Sequence, residues 1–198
     1  MTVMLQSSKE LIVMNYTKEQ LVKIFSEGDK YLKEFSLPDW DDFPSIELYM
    51  DQVVALLNEY LSIFIAPKGD MQITSTMINN YVKLKTIPAP VKKKYSKIHL
   101  AYLVMVCILK QTHSMATISS IIPPDMDEET LKATYASFVK NHSKAYSFVT
   151  EKIYDVASNI FAEEDANSDR MTDLVLQVAV SANIFKLITD WVSALTDE

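Results

Sequence analysis

Apolar residues recur along this 198-residue chain at spacings of three and four, and prolines or clusters of small polar residues separate the runs. That period is the mark of helices that bury one face. Thr17 with Gln20 fits a capping box, each side chain satisfying the other residue's backbone N–H. It opens a helix predicted to reach about Phe35, with Leu21, Ile24, Phe25, Tyr31 and Leu32 apolar. "SLPDWDDFPS" breaks that helix with two prolines. Ser45 is placed to cap a second, "IELYMDQVVALLNEYLSIF", whose Leu48, Val53, Leu56, Leu57, Tyr60 and Leu61 form a broad apolar face, and "APKGD" ends it.

Shorter units follow. Thr74 or Ser75 caps a helix to about Leu84. "TIPAPVKKKY" is predicted to be extended, because proline disfavours helical backbone in the residue before it. Ser96 caps a strongly apolar helix to about Thr112, and Ser114 caps another to Ile122. Pro123-Pro124 is the expected main boundary. Beyond it Asp125 or Asp127 opens a long helix to about Phe161, in which Leu131, Tyr135, Phe138, His142, Ala145, Val149, Ile153, Val156 and Ile160 lie close to a heptad seam. "AEEDANSD" forms a turn. The last helix, about 169–195, is apolar nearly all round, with Leu174, Val175, Val178, Ala182, Phe185, Ile188, Trp191 and Leu195. Such a helix needs cover on more than one side, and a partner subunit is the expected cover.

The reading is therefore an all-α protein. Residues 1–15 are expected to be extended or disordered, 16–123 a helical domain, and 124–198 a two-helix segment through which the chain forms a homodimer.

Composition narrows the function. With 48% hydrophobic and 23% charged residues the chain has the profile of a folded protein. Gly28 and Gly69 are the only glycines, which excludes glycine-rich phosphate loops and dinucleotide fingerprints. The single cysteine, Cys107, sits in "LAYLVMVCIL" as core filler, leaves no intrachain disulfide, and points to a reducing cytoplasm. Residues 1–15 lack a basic start and a sustained apolar run, so no secretory signal is expected, and Met14 is an alternative start to Met1. The stretch 174–192 is interrupted by Gln177, Ser181, Asn183, Lys186 and Asp190, so no membrane association is expected. His99, His113 and His142 show no metal spacing with one another or with Cys107, and no nucleophile elbow is present. The expectation is a protein that is not an enzyme and takes no cofactor.

Charge singles out one segment. Residues 70–112 hold seven lysines and one acid, Asp70, in a chain whose net charge is −7. Such local asymmetry fits a face for a polyanion, or a solvated lysine surface with no partner. The charge is lysine, which suits phosphate contact, whereas bidentate reading of guanine uses arginine, and the sole arginine is Arg170. His99 is expected to extend this basic face. Tyr81, Tyr95 and Tyr102 read first as packing residues.

The order of elements here is a short helix "NNYVKLKTIPAP", an extended basic piece, "KKKYSKIHLAYLVMVCILKQ", and then "SMATISSII". This resembles the winged helix-turn-helix of the MerR family over about 74–122, and more closely, over about 37–123, a bacterial family known as domain of unknown function 1836. The chain departs from the MerR pattern in a short wing without glycine, in Asn79 where that family carries arginine, and in the mid-chain position of the segment. The resemblance implies a cytoplasmic regulator of transcription that binds double-stranded DNA. Thr76, Asn79, Asn80 and Lys83 would lie on a recognition helix, with Lys85 at its end. Lys92, Lys93, Lys94 and Tyr95 would form a wing on the phosphates, with Lys97 beside them. No small-molecule effector is indicated. The alternative is a protein-interaction module on a winged-helix scaffold that docks an acidic protein partner.

Overall fold

The computed structural model describes residues 17–20, 22, 23, 26, 35–65, 72–162 and 168–195. The expected extended segment 1–15, most of the first expected helix and the centre of the 162–169 turn lie outside them. The N-terminal capping box is present: Thr17 N–H donates to Gln20 Oε1 at 3.0 Å, and Gln20 N–H to Thr17 Oγ1 at 3.2 Å. Phe35, the expected end of that helix, is not helical.

After a 3-10 turn at Trp40–Asp42, the described helices are α1 (Met50–Tyr60), α2 (Ser62–Ile65), α3 (Ser75–Lys83), α4 (Lys97–Leu109), α5 (Met115–Ile121), α6 (Glu128–Ala162) and α7 (Ser168–Ala194). The described part is thus mostly helical, as the apolar period predicts. Thr74, Ser96 and Ser114 stand at the starts of α3, α4 and α5. Asp127 starts α6, accepting from Thr130 N–H at 2.9 Å and from Thr130 Oγ1 at 2.7 Å. Each of these residues is short and polar, able to satisfy the N–H groups that a first helical turn leaves open.

Two expectations about helix ends are corrected. The second helix begins at Met50, five residues after Ser45, because Leu48 is extended and pairs with Tyr95. The helix predicted to reach Thr112 ends at Leu109, where the chain turns.

α4 is the axis of the core. Leu100 through Val106 have no exposed surface, and Cys107 is buried beside them, its thiol pushed up to about 12 by burial and so inert as a nucleophile. α6 packs along α4, and the apolar cluster runs across Pro123-Pro124 to take in Leu131 and Tyr135. Tyr135 Oη donates to Pro38 O at 2.8 Å, and its ring meets those of Phe43 and Trp40 at 5.1 and 6.5 Å. Tyr102 Oη donates to Pro123 O at 3.0 Å and accepts from Met126 N–H at 3.3 Å, tying α4 to the proline turn. The expected seam of α6 is buried at Leu131 and Tyr135, half-buried at Phe138 and His142, and exposed at Ala145 and Val149. Leu174 of α7 is buried, whereas Ala182, Phe185, Ile188, Trp191 and Leu195 are exposed.

Candidate nucleic-acid interface

The lysine-rich segment folds into a helix, a helix-ending turn and a narrow ribbon. α3 is amphipathic in the simplest sense. Ile78 and Tyr81 are buried, while Ser75, Thr76, Asn79, Asn80 and Lys83 make one exposed face of hydrogen-bonding side chains. What fixes α3 in place is Asn58 of α1. Its Nδ2 donates to Ile73 O at 3.0 Å and its Oδ1 accepts from Ile73 N–H at 2.9 Å, clamping the residue before the Thr74 cap. Sequence reading missed Asn58, since a polar residue on a helix carries no sign of a partner fifteen residues on.

α3 ends in a Schellman motif. Thr86 N–H donates to Tyr81 O and Lys85 N–H to Val82 O, both at 3.0 Å, with Thr86 buried. The motif puts its penultimate residue in left-handed backbone, the usual place for glycine, and here Lys85 adopts φ 56°.

The ribbon is built of two antiparallel bridges, Leu48 with Tyr95 and Val91 with Lys94. Lys94 N–H closes the tip onto Val91 O at 2.9 Å, and the two central residues, Lys92 and Lys93, sit at φ 50° and 64°. Positive φ at both central positions is the type I′ turn, for which Asn-Gly is the favoured pair. Facing residues of an antiparallel pair share a side. Leu48 and Tyr95 are buried, and the opposite side carries Val91, Lys94 and Tyr49. Lys94 Nζ lies 5.7 Å from the centre of the Tyr49 ring and 3.8 Å from Glu47 Oε2. Tyr49 and Glu47 were not among the expected site residues. Ile46, Glu47 and Leu48 alternate over three positions only, too few to mark a strand where a helix was predicted.

The expected site residues divide accordingly. Thr76, Asn79, Asn80, Lys83, Lys85, Lys92 and Lys93 are exposed, and their side chains make no hydrogen bond or ion pair to described residues. Lys94 is half-buried against Tyr49 and Glu47. Lys97 Nζ donates to Trp40 O at 3.3 Å, so its ammonium is shared with the fold. Tyr95 is a correction: its ring is buried against His99, at 5.4 Å between centroids, and it supports the ribbon from beneath.

His99 is a second correction. It is buried, not part of the basic face. Nδ1 accepts from Ser96 N–H at 3.0 Å, so the ring proton is on Nε2, which donates to Ala89 O at 3.2 Å. Burial lowers its pKa from the ordinary value, so it stays neutral and pins the Pro88–Pro90 stretch onto α4. Tyr81 and Tyr102 are likewise buried, and burial pushes the Tyr81 hydroxyl up to about 12. Among the described residues no group of three or more His, Cys, Asp or Glu is placed to hold a metal ion.

These elements define the class: a mostly helical domain with a lysine-tipped ribbon beside a helix whose exposed face is polar. Residues 38–147 match the family model described as Domain of unknown function (DUF1836), over more than half of the chain, and the protein belongs to that family. No curated protein and no solved structure matches it. The matched span holds α3, the ribbon and α4, and ends just before the exposed Phe148 and Val149 of α6.

Proposed function

We propose that this protein binds double-stranded DNA as a MerR-like regulator of transcription, with α3 as the reading helix and the Lys92-Lys93 ribbon tip as the wing on the phosphate backbone. The observation that carries this reading is backbone strain under charge. Among the described residues, the non-glycine residues at positive φ are Lys85, Lys92 and Lys93. Left-handed backbone costs an ordinary residue roughly 1–2 kcal/mol, and glycine or asparagine would relieve it. Three lysines held in that conformation, exposed and without partners among the described residues, fit a turn that serves its ammonium groups rather than its own stability.

The polar face of α3 suits the same task. Asparagine can pair with two edges of adenine, and Thr76, Asn79 and Asn80 offer donors and acceptors without bulk. Phosphate contacts by lysine would fix register, and α3 would supply the sequence preference. Glu47 works against a polyanion, but an exposed pair such as Lys94–Glu47 is weak and opens at little cost.

The test is the salt dependence of duplex binding by the full chain. Affinity should fall steeply with salt, by roughly 0.9 in log–log slope for each phosphate contacted. Lys92/Lys93/Lys94→Ala should flatten that slope by about three contacts, at about one per lysine. Asn79→Ala should weaken preferred sites with no change of slope. Binding that is undetectable at low salt, or indifferent to salt, would overturn the reading. Lysine-dependent capture of an acidic protein by a chain that ignores DNA would establish the docking alternative instead.

A further inference from the structure

α7 is built inside out. Lys186 and Asp190 form an ion pair on its inner side, where Asp190 Oδ1 also lies 3.4 Å from Thr117 Oγ1 of α5 and 3.6 Å from His113 Nδ1. The outer side carries Val180, Ile184, Leu187 and Trp191, which are 41–68% exposed. By length and composition the stretch Thr172–Ala194 is apolar enough to cross a membrane, and no residue of its most apolar window is buried. From Leu176 onward the helix turns its charges toward its own protein and its large apolar residues outward, and such a stretch is made to be covered.

We propose that a second copy of this chain covers it, stripe against stripe. Val180, Ile184, Leu187 and Trp191 are spaced four, three and four apart, the rhythm of a knobs-into-holes seam that an identical helix can interdigitate with. Between Leu176 and Leu195 the exposed face carries no charge, with Lys186 and Asp190 withdrawn to the α5 side and the exposed Asp173 beyond its N-terminal end, so two copies meet there without repulsion despite a net charge of −7 each. With Leu176, Ile188 and Leu195 flanking the seam, the exposed apolar surface is on the order of the ~800 Å² per partner that a standard interface buries. A lipid surface is the poorer fit. Helices that lie on membranes carry several cations on the polar side, and α7 has two, Arg170 in its first turn and Lys186, which is already paired with Asp190. The contacts of Asp190 with Thr117 and His113 also hold the end of α7 against the helical body, away from any spanning position.

The experiment is sedimentation equilibrium on the full chain and on Ile184→Ser/Leu187→Ser, with vesicles of phosphatidylcholine as a separate arm. The intact chain should have the mass of a dimer. The double variant should have half that mass, with the same helical signal and the same thermal midpoint of the core. Trp191→Ala, which removes one knob only, should weaken the dimer without abolishing it. A monomeric intact chain, a double variant that stays dimeric, or sedimentation of the intact chain with the vesicles would each overturn the proposal.

Discussion

Two helices of this protein are apolar nearly all round, and the fold treats them in opposite ways. α4, with "LAYLVMVCIL", is enclosed by α1, α6 and the ribbon until seven consecutive residues, Leu100 to Val106, lose all exposure. α7 is longer and less apolar, with its large apolar residues gathered between Leu174 and Val192, yet among its described side chains Leu174 alone is fully covered. The difference lies in position as well as in composition. α4 sits mid-chain, with helices before and after it to close on its faces. α7 is the last described helix and touches α5 and α6 on one side. Hydrophobicity states how much surface must be buried, and topology decides whether the same chain can bury it.

The sharpest way to test this contrast is to cut equivalent side chains from each helix. Leu103→Ala in α4 removes a side chain with no exposed surface and should cost about 2–5 kcal/mol, as lost transfer energy plus an unfilled cavity. Leu187→Ala in α7, 41% exposed, should change monomer stability by about 0.5 kcal/mol or less. Urea unfolding of both variants at a concentration where the chain is monomeric would measure the gap. Equal losses would mean that α7 is covered within one chain and that the contrast is false.

A smaller effect concerns the polar ties that hold the α4 region closed. Tyr102→Phe leaves Pro123 O and Met126 N–H without the hydroxyl that bridges them. Pro123 is exposed and Met126 half-buried, so water can take the place of the hydroxyl and the loss should be about 0.5–1.5 kcal/mol, the net worth of a hydrogen bond. Thermal unfolding would show it as a lowered midpoint.

How much of this was legible follows from the range of the interactions. The starts of α3, α4, α5 and α6 could be read because Thr74, Ser96, Ser114 and Asp127 act within the next three or four residues. The departures were long-range. Ser45 looked like a cap, yet the pairing of Leu48 with Tyr95, 47 positions on, keeps residues 46–49 out of the helix. His99 looked like one more cation in a basic run, and only the approach of Ala89 across the proline turn makes it a buried pin. In the basic segment the charge could be read but not the backbone under it. Nothing local marks Lys85, Lys92 and Lys93 as left-handed, since those positions favour residues this chain does not use there.

His99 gives the ribbon a pH dependence whose sign is set by burial. The folded-state pKa lies below the ordinary 6.5, so below that pH the unfolded chain binds the proton more readily. The stability contributed by the neutral ring is complete above about 6.5 and is lost as pH falls through the folded value. Burial lowers the His142 pKa too, so its contribution has the same sign. Urea midpoints should therefore drop on acidification from neutrality. His99→Gln should shrink that drop, because the amide can accept from Ser96 N–H and donate to Ala89 O without titrating. An unchanged drop would assign it to His142 and to the acids.

The smallest effect bears on whether the lysine turn serves folding or binding. Replacing the ribbon tip by its favoured pair, Lys92→Asn with Lys93→Gly, should leave the Val91–Lys94 bridge intact and relieve two left-handed lysines. Asparagine keeps part of the left-handed cost and glycine's greater freedom in the unfolded chain offsets more of the gain, so the net stabilisation should be about 1 kcal/mol, seen as a higher thermal midpoint. The same variant should bind duplex DNA more weakly, with a flatter salt slope. A gain in stability with a loss of binding is what a functional turn predicts. A loss of stability would mean that the lysines hold the ribbon together through their own contacts, and the strain argument for the wing would fail with it.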